Sequence, residues 1–239
     1  MTDDLPWVSL FSGGKDSSWA LYRALDAGHP VERLVTVHPA GDSYMYHTPA
    51  THLTALAAES IGIELLDVHP EDFRAGDAEE SGEQGDRELE PLERALETLA
   101  GEWGAIGGVT AGAVESEYQT SRIEAMCDRL DAELFAPLWQ EDPRELADAM
   151  LDAGFEIVIL QVAAYGLDES WLGRTLDHEA IAELEELHDE YGVHILGEGG
   201  EFETFVVDGP HMVRRIALEY ETVWEGDRGH VEITDARLE

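Results

Sequence analysis

Lysine is all but missing from this sequence: of its 14 basic residues, only Lys15 is a lysine and the rest are arginines. Positive charge is scarce altogether, and 53 acidic residues leave a formal net charge of −39. The hydrophobic fraction is an ordinary 44%, which argues against wholesale disorder. An acid excess of this size is explained by a cytoplasm of molar salt, where the Debye length falls to about 3 Å and repulsion among surface carboxylates is screened. The charge therefore says little about partners. The single cysteine, Cys127, excludes an internal disulfide framework. No window approaches the roughly 20 apolar residues of a membrane span, and the first residues show no basic and apolar signal segment, so a soluble, cytoplasmic protein is expected. At 239 residues the chain has enough core for one large domain or two modest ones.

What the sequence does contain centres on Ser12-Gly13-Gly14-Lys15-Asp16-Ser17, between the apolar run Trp7–Phe11 and a helix-like segment from Asp16 to Ala27. A strand that ends in two glycines and then a helix start points several backbone N–H groups at one place, where the helix dipole also favours negative charge. Glycines 13 and 14 let the backbone turn tightly, Ser12, Ser17 and Ser18 offer hydroxyls, and Lys15 brings a compact cation. The stretch is a candidate phosphate site. It is not a Walker A loop, because Asp16 follows Lys15 where Ser or Thr belongs, nor the dinucleotide-binding fingerprint, because Gly-x-Gly-x-x-Gly is absent. An ordinary glycine turn is the plain alternative, and a Gly-Gly-Lys triplet alone would carry little weight.

Farther along, Gly28 ends the first helix. Val31–Val37 and Ile63–Val68 read as strands around a helix over Ala50–Ile61 opened by Thr48-Pro49. Strands alternating with helices argue for an α/β fold with a parallel sheet covered on both faces, and backbone near Val37 and His38, at a strand's carboxyl end, is a candidate adenine site. Glu71–Glu90, rich in acid and glycine, is expected as a mobile loop or acidic insertion, and Leu89–Leu99 as an amphipathic segment. Ala105–Ala113 is a small-residue strand and turn, and Glu115–Asp131 a helix whose apolar face holds Cys127. A first domain is expected to close at residue 136. Residues 137–239 then form a smaller α+β domain: a helix capped by Asp142-Pro143, a buried strand over Phe155–Ala163, a helix over Asp177–Tyr191 ended by Gly192, and β-rich runs at Phe202–Val207, Val213–Thr222 and His230–Thr234.

Two further constellations stand out. In Gly197-Glu198-Gly199-Gly200-Glu201-Phe202-Glu203-Thr204, glycines and paired carboxylates at a strand end suit Mg²⁺, an ammonium or a cationic substrate, although an acidic protein can also use such a stretch as a plain turn. In Glu115-Ser116-Glu117-Tyr118-Gln119 with Arg122, the arginine can meet a phosphate or simply pair with Glu115 or Asp131 on the surface.

The hexapeptide resembles the pyrophosphate loop of the N-type ATP pyrophosphatases. Together with Asp42–Pro49, Glu117-Tyr118-Gln119 with Arg122, Ala136-Pro137-Leu138-Trp139 and Glu198–Thr204, the chain resembles the diphthine–ammonia ligase family, also called diphthamide synthetase, in a halophilic archaeal form. The acidic insertion around Gly76 to Asp86 departs from that pattern. The resemblance implies a HUP-like ATP pyrophosphatase domain over residues 1–136, followed by a substrate-binding domain. It implies ATP-dependent amidation of diphthine, a modified histidine on elongation factor 2, with release of AMP and pyrophosphate. Ammonium is the implied nitrogen source, since no glutaminase set is present. By the same resemblance, Ser12, Gly13, Gly14, Lys15, Asp16 and Ser17 are expected to bind ATP, joined by Val37 and His38 from their place at a strand end; Lys15 and Asp16 are the candidate catalytic residues, and Asp16 the candidate to hold Mg²⁺ directly or through water. Tyr118, Gln119, Arg122, Glu198, Gly199, Gly200 and Glu201 face the substrate, where Glu198, Glu201 and an aromatic such as Tyr118 or Trp139 receive its trimethylammonium group. Elongation factor 2 and ammonium are the expected partners, with no stable nucleic-acid complex and no membrane.

The rivals are another adenylating enzyme of the same loop class, such as a tRNA-thiolating enzyme, and a sensor that binds ATP without cleaving it. Cys127 alone does not supply the two cysteines or the cluster that thiolation needs. The intact hexapeptide argues against the sensor, which has no need to stabilise a leaving pyrophosphate.

Overall fold

The apolar runs of the first half become strands that all point the same way. In the computed structural model, which describes residues 5–38, 49–69, 81–115 and 117–239, these are β1 (Trp7–Leu10), β2 (Val31–Val37), β3 (Glu64–Val68), β4 (Gly108–Thr110) and β5 (Glu133–Phe135). They form one parallel sheet in the order β3-β2-β1-β4-β5. The chain moves outward from β1 to β3 and then crosses back to lay β4 on the other side of β1. Strand order thus reverses at β1, and the carboxyl ends of β1 and β4 flank the crevice where open α/β sheets take their ligands.

Helices α1 (Lys15–Asp26), α2 (Pro49–Ile61), α3 (Ser81–Trp103) and α4 (Glu117–Arg129) make the crossovers. On α1 Ser17, Leu21 and Ala24 share one helical face and are buried, and Gly28, at φ +85°, turns the chain away after the cap. Helix α3 corrects the expected loop, because residues 81–90 belong to a helix of 23 residues that continues past Pro91. Leu92, Leu96 and Leu99 are buried one turn apart, and this packing extends the helix through the polar turn before it despite Gly82 and Gly85. The remainder of that expected loop, Glu71–Glu80, lies outside the described residues, as does Asp42–Thr48 of the second motif.

The second half is antiparallel: β6 (Glu156–Val162) pairs with β7 (Thr175–Leu176), β8 (Phe202–Asp208) and β10 (Arg228–Leu238), and β10 pairs with β9 (Ile216–Glu225). Two helices flank the sheet. α5 (Pro143–Asp152) starts where the Asp142 carboxylate accepts the Arg144 and Glu145 amides at 2.9 and 3.0 Å. α6 (His178–Tyr191) is capped by Asp177 and stops at Gly192, φ +77°. Asn, Asp and glycine at such ends satisfy orphan backbone groups, as the sequence indicated.

Three buried clusters hold the chain together, and two of them join its halves. Trp19 and Ala20 of α1 pack with Met150, Phe155 and Ile159, while Leu21 and Leu34 share a cluster with Val158, Phe205 and Ile216. Helix α1 therefore contributes to both joint clusters. The third, built on Val8, Val35, Leu96 and Met126, belongs to the first half and contains Cys127, whose thiol is pushed up to about 12 by burial. Among the described residues no helix is long and apolar enough to cross a membrane.

Candidate active site

The turn from β1 into α1 is fixed by contacts on both of its sides. Gly13 sits at φ +80°, a conformation that costs an L side chain about 1–2 kcal/mol. A Cβ there would also lie 2.4 Å from the Phe205 ring. The Gly13 carbonyl accepts the Val206 N–H at 2.9 Å, so the loop is bonded to β8 of the other sheet. Gly112, at the exit of β4, has no more room, since a Cβ there would meet the Asp16 carbonyl carbon at 2.6 Å. Close approach of three backbones, which only glycine permits, builds the floor of the cleft.

The serines brace this turn. Ser17 Oγ donates to the Gly14 carbonyl at 3.1 Å and accepts the Ser12 N–H at 3.2 Å, and the two hydroxyls lie 3.1 Å apart. The first-turn amides of α1 are of the kind that has no intrahelical partner, and they point with the positive end of the helix dipole. Lys15 is only 5% exposed at its side chain; its Nζ lies 2.7 Å from Asp16 Oδ2 and 5.7 Å from the Phe202 ring centre. The other Asp16 oxygen, Oδ1, is buried without a hydrogen-bond partner.

Above the turn lies a cleft of about 570 Å³. Ser12, Gly14, Lys15, Asp16 and Ser17 form one side, Ala111–Ala113 another, and Gly197, Glu198 and Phe202–Thr204 reach in from the second half. Val37, Leu89, Leu92 and Ile123 give it an apolar wall. A flat, largely apolar ring beside a polyphosphate suits such a lining.

Two carboxylates dominate its electrostatics. Burial raises the pKa of Glu198, Asp16 raises it further, and Lys15 opposes the shift. Burial also raises Glu203, against the pull of Lys15 and with help from Asp16 and Glu198. Three carboxylates, those of Asp16, Glu198 and Glu203, thus converge on the one Lys15 ammonium. No group of three or more His, Cys, Asp or Glu among the described residues is arranged to hold a metal ion by itself.

The structure brings Ser12, Gly14, Lys15, Asp16, Ser17, Val37, Arg122 and Glu198 to this cleft. Gly13 supports it from beneath. His38 stands beside it: its N–H donates to Val68 O at 2.8 Å, and its Nε2 lies 2.7 Å from Asp67 Oδ1. Tyr118 and Gln119 lie in the first turn of α4. Glu201 accepts the His194 and Gly199 amides at 3.1 and 2.8 Å and so fastens the Gly199-Gly200 turn. Residues the sequence reading passed over as individual site residues are Glu203 and Thr204, hidden inside a motif, and Leu89, Leu92 and Gly112, which only the fold brings near. His194 is another: its Nδ1 accepts the Leu196 and Glu198 amides at 3.1 and 3.4 Å, so its proton is assigned to Nε2, 3.6 Å from Glu115.

Comparison with known proteins gives two family matches: the diphthamide synthase N-terminal domain over residues 7–133 and the diphthamide synthase C-terminal domain over residues 142–238. A diphthine–ammonia ligase of Danio rerio is 38% identical over 230 residues, covering 92% of this chain and 89% of that one. One of Homo sapiens is 36% identical over 230 residues, covering 89% and 82%. Among solved structures, a U34-tRNA thiolase of Methanococcus maripaludis overlaps at a TM-score of 0.40 and 13% identity, covering 83% of this chain and 72% of that one.

Proposed function

Because the chain belongs to the diphthamide synthase family over both of its halves, we propose that it is a diphthine–ammonia ligase, converting the diphthine carboxylate of elongation factor 2 to its amide with ATP and ammonium. The observation that carries this reading is the cleft itself, where the Ser12–Ser17 turn and the Glu198–Thr204 segment face each other.

In this reading the polyphosphate lies on the first-turn amides of α1 and on Lys15, and the adenine against Val37, Leu89, Leu92 and Ile123. The diphthine carboxylate attacks the α-phosphorus, the bond to the β,γ-pyrophosphate breaks, and the charge that accumulates on the departing oxygens meets donors already in place. Lys15 is shielded from water, which strengthens its attraction for that charge. Ammonia then adds to the acyl carbon, and the C–O bond to AMP breaks. Glu198, facing the cleft, suits the fixed cation of the diphthine trimethylammonium group. Asp16 fits a hard cation, since its buried Oδ1 has no protein partner, and Mg²⁺ held there and by phosphate oxygens would shield the charge of the triphosphate.

The division into domains at residues 136 and 137 has support in the sheets, the first ending at Phe135 and the second starting at Glu156. Thiolation has no foothold on Cys127, which is buried with its thiol pushed up to about 12. A substrate on a translation factor supports a cytoplasmic location. The test is incubation with ATP, ammonium and diphthine-bearing elongation factor 2 in molar salt, followed by mass spectrometry. AMP and the amide are expected in equal amounts. ATP bound but never consumed would sink the assignment and leave a nucleotide sensor.

A further inference from the structure

The backbone N–H of Lys15, one of the amides that the polyphosphate reading needs, is already engaged: it donates to the Thr204 hydroxyl at 3.2 Å. Thr204 comes from β8 in the second half, 189 residues away in sequence, and lines the cleft beside Lys15 and Glu203. Its main chain is equally close to the loop, since a Cβ on Gly14 would lie 3.3 Å from the Thr204 carbonyl oxygen. A hydroxyl that accepts one hydrogen bond keeps a proton to give. Among the described residues no acceptor takes the Thr204 proton.

We propose that Thr204 is a phosphate ligand supplied by the second half, its hydroxyl accepting from the Lys15 amide and donating to an oxygen of the pyrophosphate end of bound ATP. This rests on the polyphosphate lying at the Ser12–Ser17 turn. A lone amide at this place reaches a phosphate only from the loop; an amide relayed through a hydroxyl reaches it from β8 as well. The strand that carries Glu203 and follows Glu198 is then held by a bond that exists while pyrophosphate is present and ends when it leaves. Adenylation is thereby communicated to the carboxylates that face the second reaction.

The experiment is calorimetric titration of the whole protein with ATP and, separately, AMP in molar KCl. Wild type is compared with Thr204→Val, Thr204→Ser and Lys15→Ala, with melting temperatures measured before nucleotide is added. Thr204→Val is expected to weaken ATP about tenfold or more, the usual consequence of losing a hydrogen bond to a charged group, while AMP changes less than about twofold and Thr204→Ser restores ATP binding. Thr204→Ala, which removes the hydroxyl without setting a methyl group against the Lys15 amide, repeats the comparison should the valine variant not fold. Equal weakening of ATP and AMP would show a structural clamp, and unchanged or tighter ATP binding would show a bystander or a plug; each overturns the proposal. If ATP binding also ignores Lys15→Ala, the polyphosphate reading itself fails. If it depends on Lys15 but not on Thr204, only this inference falls.

Discussion

The Val206 amide donates to the Gly13 carbonyl at 2.9 Å, so the antiparallel sheet is hydrogen-bonded to the glycine turn of the parallel one. Phe205, one residue earlier, fills the space where a Gly13 side chain would stand. The glycine turn and the strand leading out of the Glu198–Thr204 segment therefore form one construction.

Replacing Gly13 by alanine tests this directly. The left-handed backbone and the contact with a buried ring each cost about 1–3 kcal/mol. A loss of about 2 kcal/mol or more is expected in denaturant titration, with ATP affinity falling alongside. A variant as stable as wild type would show that the turn is free to relax away from Phe205.

Lys15→Ala is expected to slow amide formation by about 10²-fold or more, the usual loss when a donor to developing charge is removed. Its fold should survive, because the turn is held by backbone bonds such as Val206 N–H to the Gly13 carbonyl that do not use the ammonium. Near-normal turnover would remove Lys15 from the chemistry.

Glu203 makes a prediction about pH. Its pKa is raised above the ordinary 4.5, chiefly by burial, so between that value and the folded one the native chain holds a proton the unfolded chain has lost. Its contribution to stability is fully present below the ordinary carboxyl range and is lost as pH rises through the raised value. Glu203→Gln should therefore melt higher than wild type at neutral pH, with the gap closing in acid. A gap that widens in acid would reverse the assigned direction.

His211 acts with the opposite slope. Burial lowers its pKa to about 4, it stacks on Phe155 at 5.1 Å, and neither ring nitrogen has a hydrogen-bond partner. Between about 4 and the ordinary 6.5 the unfolded chain takes a proton that the folded chain refuses, so stability is lost as pH falls through that window. His211→Phe keeps the stack and should flatten the stability profile there, as read from urea midpoints between pH 4 and pH 7. An unchanged slope would mean that the imidazole already reaches water.

Much of the architecture was legible in the sequence because it is written in local signals. The β1 run ending at two glycines, the Asp142 and Asp177 caps and the stops at Gly28 and Gly192 each depend on residues a few positions apart, and such interactions survive translation into any tertiary context. Over residues 81–90 of α3 the local pattern points to a loop for the complementary reason. Its early turns have little apolar content, and they are helical because Leu92, Leu96 and Leu99 anchor the later ones in the core. Inside the Glu198–Thr204 motif, spacing did not distinguish the carboxylates. Glu198 and Glu203 face the cleft, whereas Glu201 binds the amides of its own loop, a difference set by how the turn folds back on itself.

By itself, then, the sequence determined where the chain turns, where the glycine loop between strand and helix lies, and to which family it belongs, since each of these follows from residue type and short spacing. Only the tertiary structure decided which groups share the cleft. Lys15 and Thr204 are 189 residues apart, and what sets them at 3.2 Å is the burial of apolar surface between two sheets through the common helix α1, a long-range packing solution with no counterpart in local pattern.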